Sequence, residues 1–353
     1  MIYLSTSYRN LVERAKRGSL EAKDELSRRK YDDTKLKGIS NEKIVVRYSS
    51  EIKDNCKYIS DEIKSIRTKG TVSESILLDS FNSATIEGAR TTVESVKKSF
   101  SKPCTRSDIM VVNAIKAQNI AYKDGITSDN IRDIWETLTD GVLENKDIAG
   151  VKYRVGDVFV GNNFKTVHTP EKVENLDKQM QSLFDFCNST VKYIVKACVV
   201  HFYFVYIHPF CDGNGRFARL WMNSILSGVD TNFKSLVISR EINNSLGGYY
   251  GSLKESEFSY KGLMDITPFV EYMTGCIVSA LDYAKYKRYS DLSEFEEVVY
   301  EKLSKRNAGI SASKLAEITG TSTEKARYTL NKLVSKRYLI VDKSHKEYVY
   351  YIK

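Results

Sequence analysis

Four prolines in 353 residues leave no room for a collagen-like or linker-dominated chain, and 19 glycines are too few for one. The four histidines are scattered. The six cysteines (Cys56, Cys104, Cys187, Cys198, Cys211, Cys276) never fall at C-x-x-C spacing. That pattern argues against zinc and for a reducing compartment, so the expected location is cytoplasmic. No apolar run reaches the roughly 20 residues that span a bilayer. The longest near the middle, Ala197 to Ile207, is interrupted by His201. Met1 to Arg17 holds no apolar stretch before a small-residue cleavage site, so no secretion signal is expected. Internal repeats and low-complexity tracts are also missing.

What is present is enough to fold. With 42% hydrophobic and 28% charged residues the chain can bury a sizeable core, and its length suggests two or three units. The formal charge of +9 is unevenly placed. Residues 1–47 carry 12 Lys and Arg against 7 Asp and Glu, and residues 302–353 carry 12 against 4. Starting the second window at Asp291 lowers its excess to +3. The C-terminal end is therefore where an anionic polymer would touch, if one does, and an ordinary solvated basic surface accounts for the charge equally well.

Most of the sequence has helical periodicity. From Ser73 to Glu87, Ile76, Leu77, Phe81 and Ala84 recur every three to four residues, and Gly88 is a natural stop. Ile131, Ile134, Trp135 and Leu138 form a second stripe, with Thr127 or Ser128 available as cap. Val173–Phe186 and Val191–Tyr206 are further helices, the latter apolar nearly all round, as a central buried helix is. Asp157–Val160 and Phe164–Val167, around Gly161-Asn162-Asn163, read as a short hairpin.

The tail has a different pattern. Phe295–Lys305 and Ser313–Ile318 are amphipathic helices, and a third opens at Thr321-Ser322-Thr323-Glu324, which has the form of a capping box. Two β-rich segments, Tyr338–Val341 and Tyr348–Ile352, then flank the polar turn Asp342–Lys346. In architecture this resembles a winged helix-turn-helix, with Lys325, Arg327, Asn331, Lys332 and Lys336 on or near its third helix.

The most informative stretch is His208-Pro209-Phe210-Cys211-Asp212-Gly213-Asn214-Gly215-Arg216-Phe217-Ala218-Arg219. Pro209 ends the buried helix. Gly213 and Gly215 permit tight backbone and close ligand approach, and a new helix beginning near Asn214 has free N–H groups for an anion. Arg216, Arg219 and Asn223 share one stripe of that helix, so two guanidinium groups flank an anion-ready terminus suited to a polyphosphate. Asp212 at its mouth would repel phosphate without a divalent cation between them, which points to Mg²⁺. His208 is the group there able to take a proton near neutral pH, whereas His201 on the apolar helix reads as a packed core histidine.

The segment is similar at every specified position to the Fic motif H-P-F-x-[DE]-G-N-G-R-x-x-R. The likeness extends from about Ser73 to Val278 and takes in Ala149-Gly150, Tyr153-Arg154, the hairpin before His168-Thr169-Pro170, His201, Tyr249-Tyr250 and Thr267-Pro268-Phe269. The resemblance implies a mainly α, helical Fic fold with a short β-hairpin flap. It also implies protein adenylylation, the transfer of AMP from ATP to a Ser, Thr or Tyr hydroxyl of a target protein. In that chemistry His208 is the base, Asp212 holds Mg²⁺, and Gly213, Asn214 and Gly215 stabilise the α-phosphate. Arg216 and Arg219 clamp the outer phosphates, Tyr249 and Tyr250 lie near the nucleotide base, and Val158, Phe159, Val160 and Gly161 form the target-binding flap. The intact Gly215 favours AMP transfer over phosphorylation.

Ser83-Ala84-Thr85-Ile86-Glu87-Gly88 resembles the inhibitory motif [ST]-x-x-x-E-[GN] of the second, self-restrained Fic class, which implies that Glu87 pairs with Arg219 and slows the resting enzyme. The expected organisation is an N-terminal helical region (1–72), a Fic core (73–290) including the inhibitory helix 73–88, and a winged helix-turn-helix (291–353). Two other functions stay open. One is a DNA-binding regulator or docking protein acting through its tail; the other is removal of AMP by the same site, with Glu87 positioning a water. Self-modification and a homodimer are compatible with the sequence, and no membrane partner is expected.

Overall fold

The computed structural model describes residues 7–66, 72–100, 105–143, 151–162, 165–289, 292–304, 309–344 and 347–352. Its backbone divides into two units, 1–288 and 289–353. In chain order the first holds α1 (Tyr8–Lys16), α2 (Leu20–Arg28), β1 (Asp32–Lys37), β2 (Lys43–Val46), α3 (Ser50–Glu62), α4 (Val72–Ile86), α5 (Val93–Ser99), α6 (Arg106–Asp124) and α7 (Ile131–Thr139). There follow β3 (Val160–Asn162), β4 (Lys165–His168), α8 (Leu176–Cys187), α9 (Tyr193–Ile207), α10 (Asn214–Val229), α11 (Ile238–Asn244), α12 (Leu246–Ser256), β5 (Ser259–Tyr260), β6 (Leu263–Asp265) and all but the last residue of α13 (Thr267–Tyr289). The architecture is mainly α, as the sequence pattern requires.

The apolar helix α9 lies at the centre. Ala197–Phe204 and Ile207 on it are buried, each large apolar side chain contributing about 1.5–3 kcal/mol. Phe204 stacks on Phe217 of α10 at 4.9 Å between ring centres and meets Trp221 edge-on at 5.6 Å. This packing fixes the angle between the two helices that flank the His208–Gly213 loop.

The expected N-terminal helical region also contributes strands. β2 pairs in parallel with β6, Ile44 opposite Met264, inside a sheet ordered β1-β2-β6-β5. Residues 43–46 and 263–265 are far apart in sequence, and each strand alone is too short to signal its partner. The helix predicted from Ser73 is α4; it ends at Ile86, and Gly88 (φ 87°) closes it, with Ala89 N–H donating to Ala84 O at 3.0 Å in the six-to-one bond of a left-handed stop. The cap expected at Thr127 or Ser128 falls instead on Asn130, because Thr127 Oγ1 is taken by the N–H groups of Asp129 and Asn130 in a turn ahead of α7.

The second unit comprises α14 (Glu294–Ser304), β7 (Ile310–Ser311), α15 (Ala312–Thr319), α16 (Thr323–Ser335), β8 (Leu339–Asp342) and β9 (Val349–Ile352). Three helices pack on an antiparallel sheet ordered β7-β9-β8 around Val299, Leu315, Leu330, Leu333 and Tyr350. The capping box is not realised. Ser322 is the cap and accepts from Lys325 N–H, which puts Glu324 one position too early to reach back. The basic helix is also less open than its sequence suggests: buried Glu296 takes Lys332 at 2.8 Å and Lys336 at 2.9 Å, and Asn331 accepts from Tyr350 Oη. Ala149-Gly150, Cys104, Lys305, His345 and Lys346 lie outside the described residues.

Candidate active site

A helix that runs into proline loses a donor at its end. Pro209 has no N–H, so the carbonyl of Val205 has no helical partner. His208 fills that gap with its own side chain, Nδ1 donating to Val205 O at 3.1 Å. A carbonyl only accepts, so the proton is on Nδ1 and Nε2 keeps a free lone pair. The residue is held in the left-handed region (φ 54°, ψ 62°), unfavourable for a residue with a β-carbon by roughly 1–2 kcal/mol. Three bonds stabilise it: the Nδ1 contact, its N–H to Phe204 O at 3.0 Å, and Arg154 Nε donating to its carbonyl at 2.9 Å. Burial depresses the imidazole pKa to about 4; the Val205 bond pulls it upward, and the charges of His168 and Arg154 push it down again.

Arg154 is a buried clamp that the spacing of the sequence does not announce. Besides His208 it donates to Gly156 O at 2.8 Å and to Glu171 O, and its own N–H reaches Pro209 O at 2.9 Å. Trp135 is a second. Its Nε1 donates to Asp212 O at 2.8 Å while its ring stacks on Phe210 at 4.7 Å, so one face of the stripe predicted for α7 holds the loop.

Gly213, at φ 80°, is the N-terminal flank of α10, and a β-carbon there would press on Thr139. Asn214 differs from the expectation that it meets phosphate. It is buried, and its amide bridges the loop, accepting from Phe210 N–H at 3.0 Å and donating to Phe210 O at 2.8 Å. What remains for an anion is the free backbone N–H groups of the first turn. Asp212 is largely exposed; Oδ1 accepts from Gly213 N–H at 2.6 Å and Oδ2 stands 3.7 Å from Arg216 Nη2.

Both arginines of the motif are buried. Arg219, 1% exposed, donates from Nε to Ser83 Oγ at 2.8 Å, and from Nη2 to Ser83 O at 3.0 Å and Glu87 Oε1 at 2.7 Å. Glu87 sits just past the end of α4, where its carboxylate occupies the space a β-carbon on Gly215 would need. Of the donors on these two arginines, Arg216 Nε and Arg219 Nη1 find no acceptor among the described residues. The latter is 3.4 Å from that same β-carbon position. Buried guanidinium N–H groups left open beside a helix N-terminus mark a place for an external acceptor.

The remaining site residues are placed as follows. The hairpin is shorter and later than predicted: Asp157, Val158 and Phe159 precede it, Val160 pairs with His168, and a bulge separates Val160 from Gly161. Extended pairing is lost where Gly156 and Asp157 turn to meet Arg154. Phe159 is 69% exposed; Asn163 and Phe164 lie outside the described residues. Tyr249 and Tyr250 meet edge to face with ring centres 5.2 Å apart, but they differ in exposure. Tyr249 is 2% exposed with Oη 2.9 Å from His201 Nε2, while Tyr250 is 53% exposed. His201 is buried as expected, and burial drives its pKa far down.

Comparison with known proteins bears on this geometry. Residues 125–226 match the model of the Fic/DOC family. A protein adenylyltransferase Fic from Nematostella vectensis is 31% identical over 167 residues, 46% of this chain and 35% of that protein. One of the same name from Drosophila melanogaster is 34% identical over 157 residues, 43% of this chain and 29% of that protein. The matched span is thus about a third of the length of these curated relatives. A Fic family protein from Desulfovibrio desulfuricans G20 has the same fold, with a TM-score of 0.60 at 21% identity over 86% of this chain and 96% of that one. A Fic domain containing signaling protein from Bacteroides thetaiotaomicron VPI-5482 gives 0.53 at 21% identity, over 68% and 99%. The chain therefore carries a Fic domain, matched over residues 125–226 and including the end of α9, the loop after it and the first turns of α10.

Proposed function

We propose that this chain is a protein adenylyltransferase that moves AMP from ATP to a hydroxyl side chain of a target protein. The observation that carries this is the pairing of a histidine whose Nε2 is free with a helix N-terminus flanked by two buried arginines that still have open donors. Similarity to relatives named as protein adenylyltransferases supports it.

In this reading His208 Nε2 takes the proton of the target hydroxyl. The oxygen forms a bond to the α-phosphorus, the bond from that phosphorus to its β-bridging oxygen breaks, and pyrophosphate leaves. The N–H groups of the first turn of α10 receive the α-phosphate oxygens, while Arg216 and Arg219 balance the outer phosphates. Asn214 acts earlier, by holding the loop in shape. Exposed Asp212 fits Mg²⁺, a hard cation that takes one or two carboxylates plus phosphate oxygens, and Asp212 would hold it. Among the described residues no three His, Cys, Asp or Glu side chains gather at one place, so its other ligands would come from the nucleotide and water. When bound, the ion supplies charge neutralisation between the phosphates.

Glu87 acts as a brake in this scheme. Its carboxylate neutralises Arg219 and stands over Gly215, where phosphate oxygens would lie. In this reading the chain resembles the second, self-restrained class, with the inhibitory helix N-terminal to the core. The tail is read as a winged helix-turn-helix. Glu296 already holds Lys332 of α16 and Lys336 just past its end, which favours docking to a protein over binding DNA. The deciding test is incubation of the purified chain with labelled ATP and Mg²⁺, followed by mass spectrometry. AMP adducts on the chain or on an added protein support transfer; ATP binding that yields no adduct, with parent and Glu87→Gly alike, refutes it.

A further inference from the structure

The carbonyl of Tyr206 also lies in the last turn of α9. Its helical partner by count, Phe210 N–H, donates to Asn214 Oδ1 instead. The acceptor is taken from another part of the chain. His168, the last residue of β4, places Nε2 2.7 Å from Tyr206 O and Nδ1 3.2 Å from Glu257 Oε2, just beyond α12. An ionised carboxylate and a carbonyl are both acceptors only, so both ring nitrogens donate, and an imidazole with two N–H groups is a cation.

The surroundings suit that charge. The C-terminal end of α9 carries the negative end of its dipole, and Glu257 adds a full negative charge. Burial alone would lower the pKa of His168, but the bond and charge of Glu257, with the Tyr206 carbonyl, outweigh it and raise the pKa. The other titratable groups near it are the Tyr206 phenol, whose ring centre lies 5.3 Å away, and His208. Glu42 and Glu171, in loops on other parts of the chain, act on that phenol.

We propose that His168 is a positioning residue: as an imidazolium it pins the base of the β3–β4 hairpin to the end of the helix that carries His208, and so sets the affinity for a protein substrate docking along the hairpin. Losing one proton leaves one of the two acceptors without its donor, and the hairpin loosens. The identity of the docked substrate rests on the transferase reading; the pinning does not.

The test is hydrogen–deuterium exchange of the full chain, expressed as protection relative to the unfolded exchange rate, for residues 158–168 between pH 6 and 9. In the parent, protection should fall roughly tenfold as pH rises through the His168 pKa, the loss of one charge-assisted bond. His168→Gln should show the low value at every pH. Glu257→Gln, the gentler change, should move the fall to lower pH. Protection independent of pH in the parent, or unaltered in both variants, would overturn the pinning; if His168→Gln does not fold, the parent and Glu257→Gln curves decide alone. Calorimetry with ATP on folded variants should give an affinity within about twofold of the parent, and a larger loss would make His168 a nucleotide-site residue instead. A parent that binds no ATP sinks the transferase reading and with it the substrate half of the proposal, while the protection data still decide the pinning.

Discussion

Arg219 Nη2 and Glu87 Oε1 meet at 2.7 Å, and the same carboxylate fills the space beside the α-carbon of Gly215. One side chain thus neutralises a cation and blocks the backbone that cation flanks. A hydrogen bond to a charged group is worth about 1.5–3 kcal/mol, so Glu87→Gly should raise AMP incorporation roughly 10- to 100-fold. Labelled ATP and gel autoradiography measure it, and incorporation at the parent level would remove Glu87 from any regulatory role.

Gly215→Ala separates the two effects of that carboxylate. The added methyl would collide with Glu87 and crowd Arg219 Nη1, displacing the brake while filling the phosphate space. ATP affinity by calorimetry should therefore fall by about tenfold or more, in contrast to Glu87→Gly, where it should not fall. Equal or tighter binding in Gly215→Ala would place the phosphates elsewhere.

Burial holds the His208 pKa near 4, so the proposed base is already neutral through the usual assay range. Transfer should accordingly show no inflection near 6.5 and should decline only as pH drops toward 4. His208→Ala should abolish transfer and largely spare ATP binding. In stability the sign is the same: the unfolded chain binds more protons between the depressed and ordinary histidine pKa values, so the contribution of His208 is present above about pH 6.5 and shrinks as pH falls toward 4. A rate profile centred near 6.5 would contradict the buried, neutral base.

In the second unit Glu296 provides an independent check. Burial would raise its pKa, but bonds from Lys332, Ser293 N–H and Lys336 outweigh that and bring it to about 2. Its contribution is present above pH 4.5 and lost as pH falls toward 2. Glu296→Gln should lower the stability of the tail by about 1–3 kcal/mol at pH 7 and flatten that acid dependence. Denaturant unfolding of the full chain, followed by exchange in residues 309–352, reports it.

Features that depend on local backbone chemistry were legible in the sequence. Pro209 and Gly213 announce the turn after α9, the all-round apolar pattern announces the central helix, and Gly88 announces the stop after α4. Features made by distant partners were not. The β2–β6 pairing joins segments more than two hundred residues apart, His168 and Glu257 are 89 apart, and neither has a spacing that marks it. Tyr249 and Tyr250 look alike in sequence, and only the packing of α12 sends one inward. Asn214 shows a different gap: motif membership marks it as important, whereas its hydrogen bonds show that its task here is to close the loop.

Asp79, one turn before Ser83 on α4, is buried and accepts from Ser239 N–H at 2.7 Å, Ser239 Oγ at 3.0 Å and Asn223 Nδ2 at 2.8 Å. Those bonds moor the helix body to α10 and α11. Peeling it away would strand a carboxylate and three donors at once, so under the proposed scheme relief of the brake is cheapest as a swing of the Glu87 side chain, with its helix staying put. A small molecule or partner able to reach that terminal turn could release the chain, and one gripping the opposite end of α4 would find the anchor in its way.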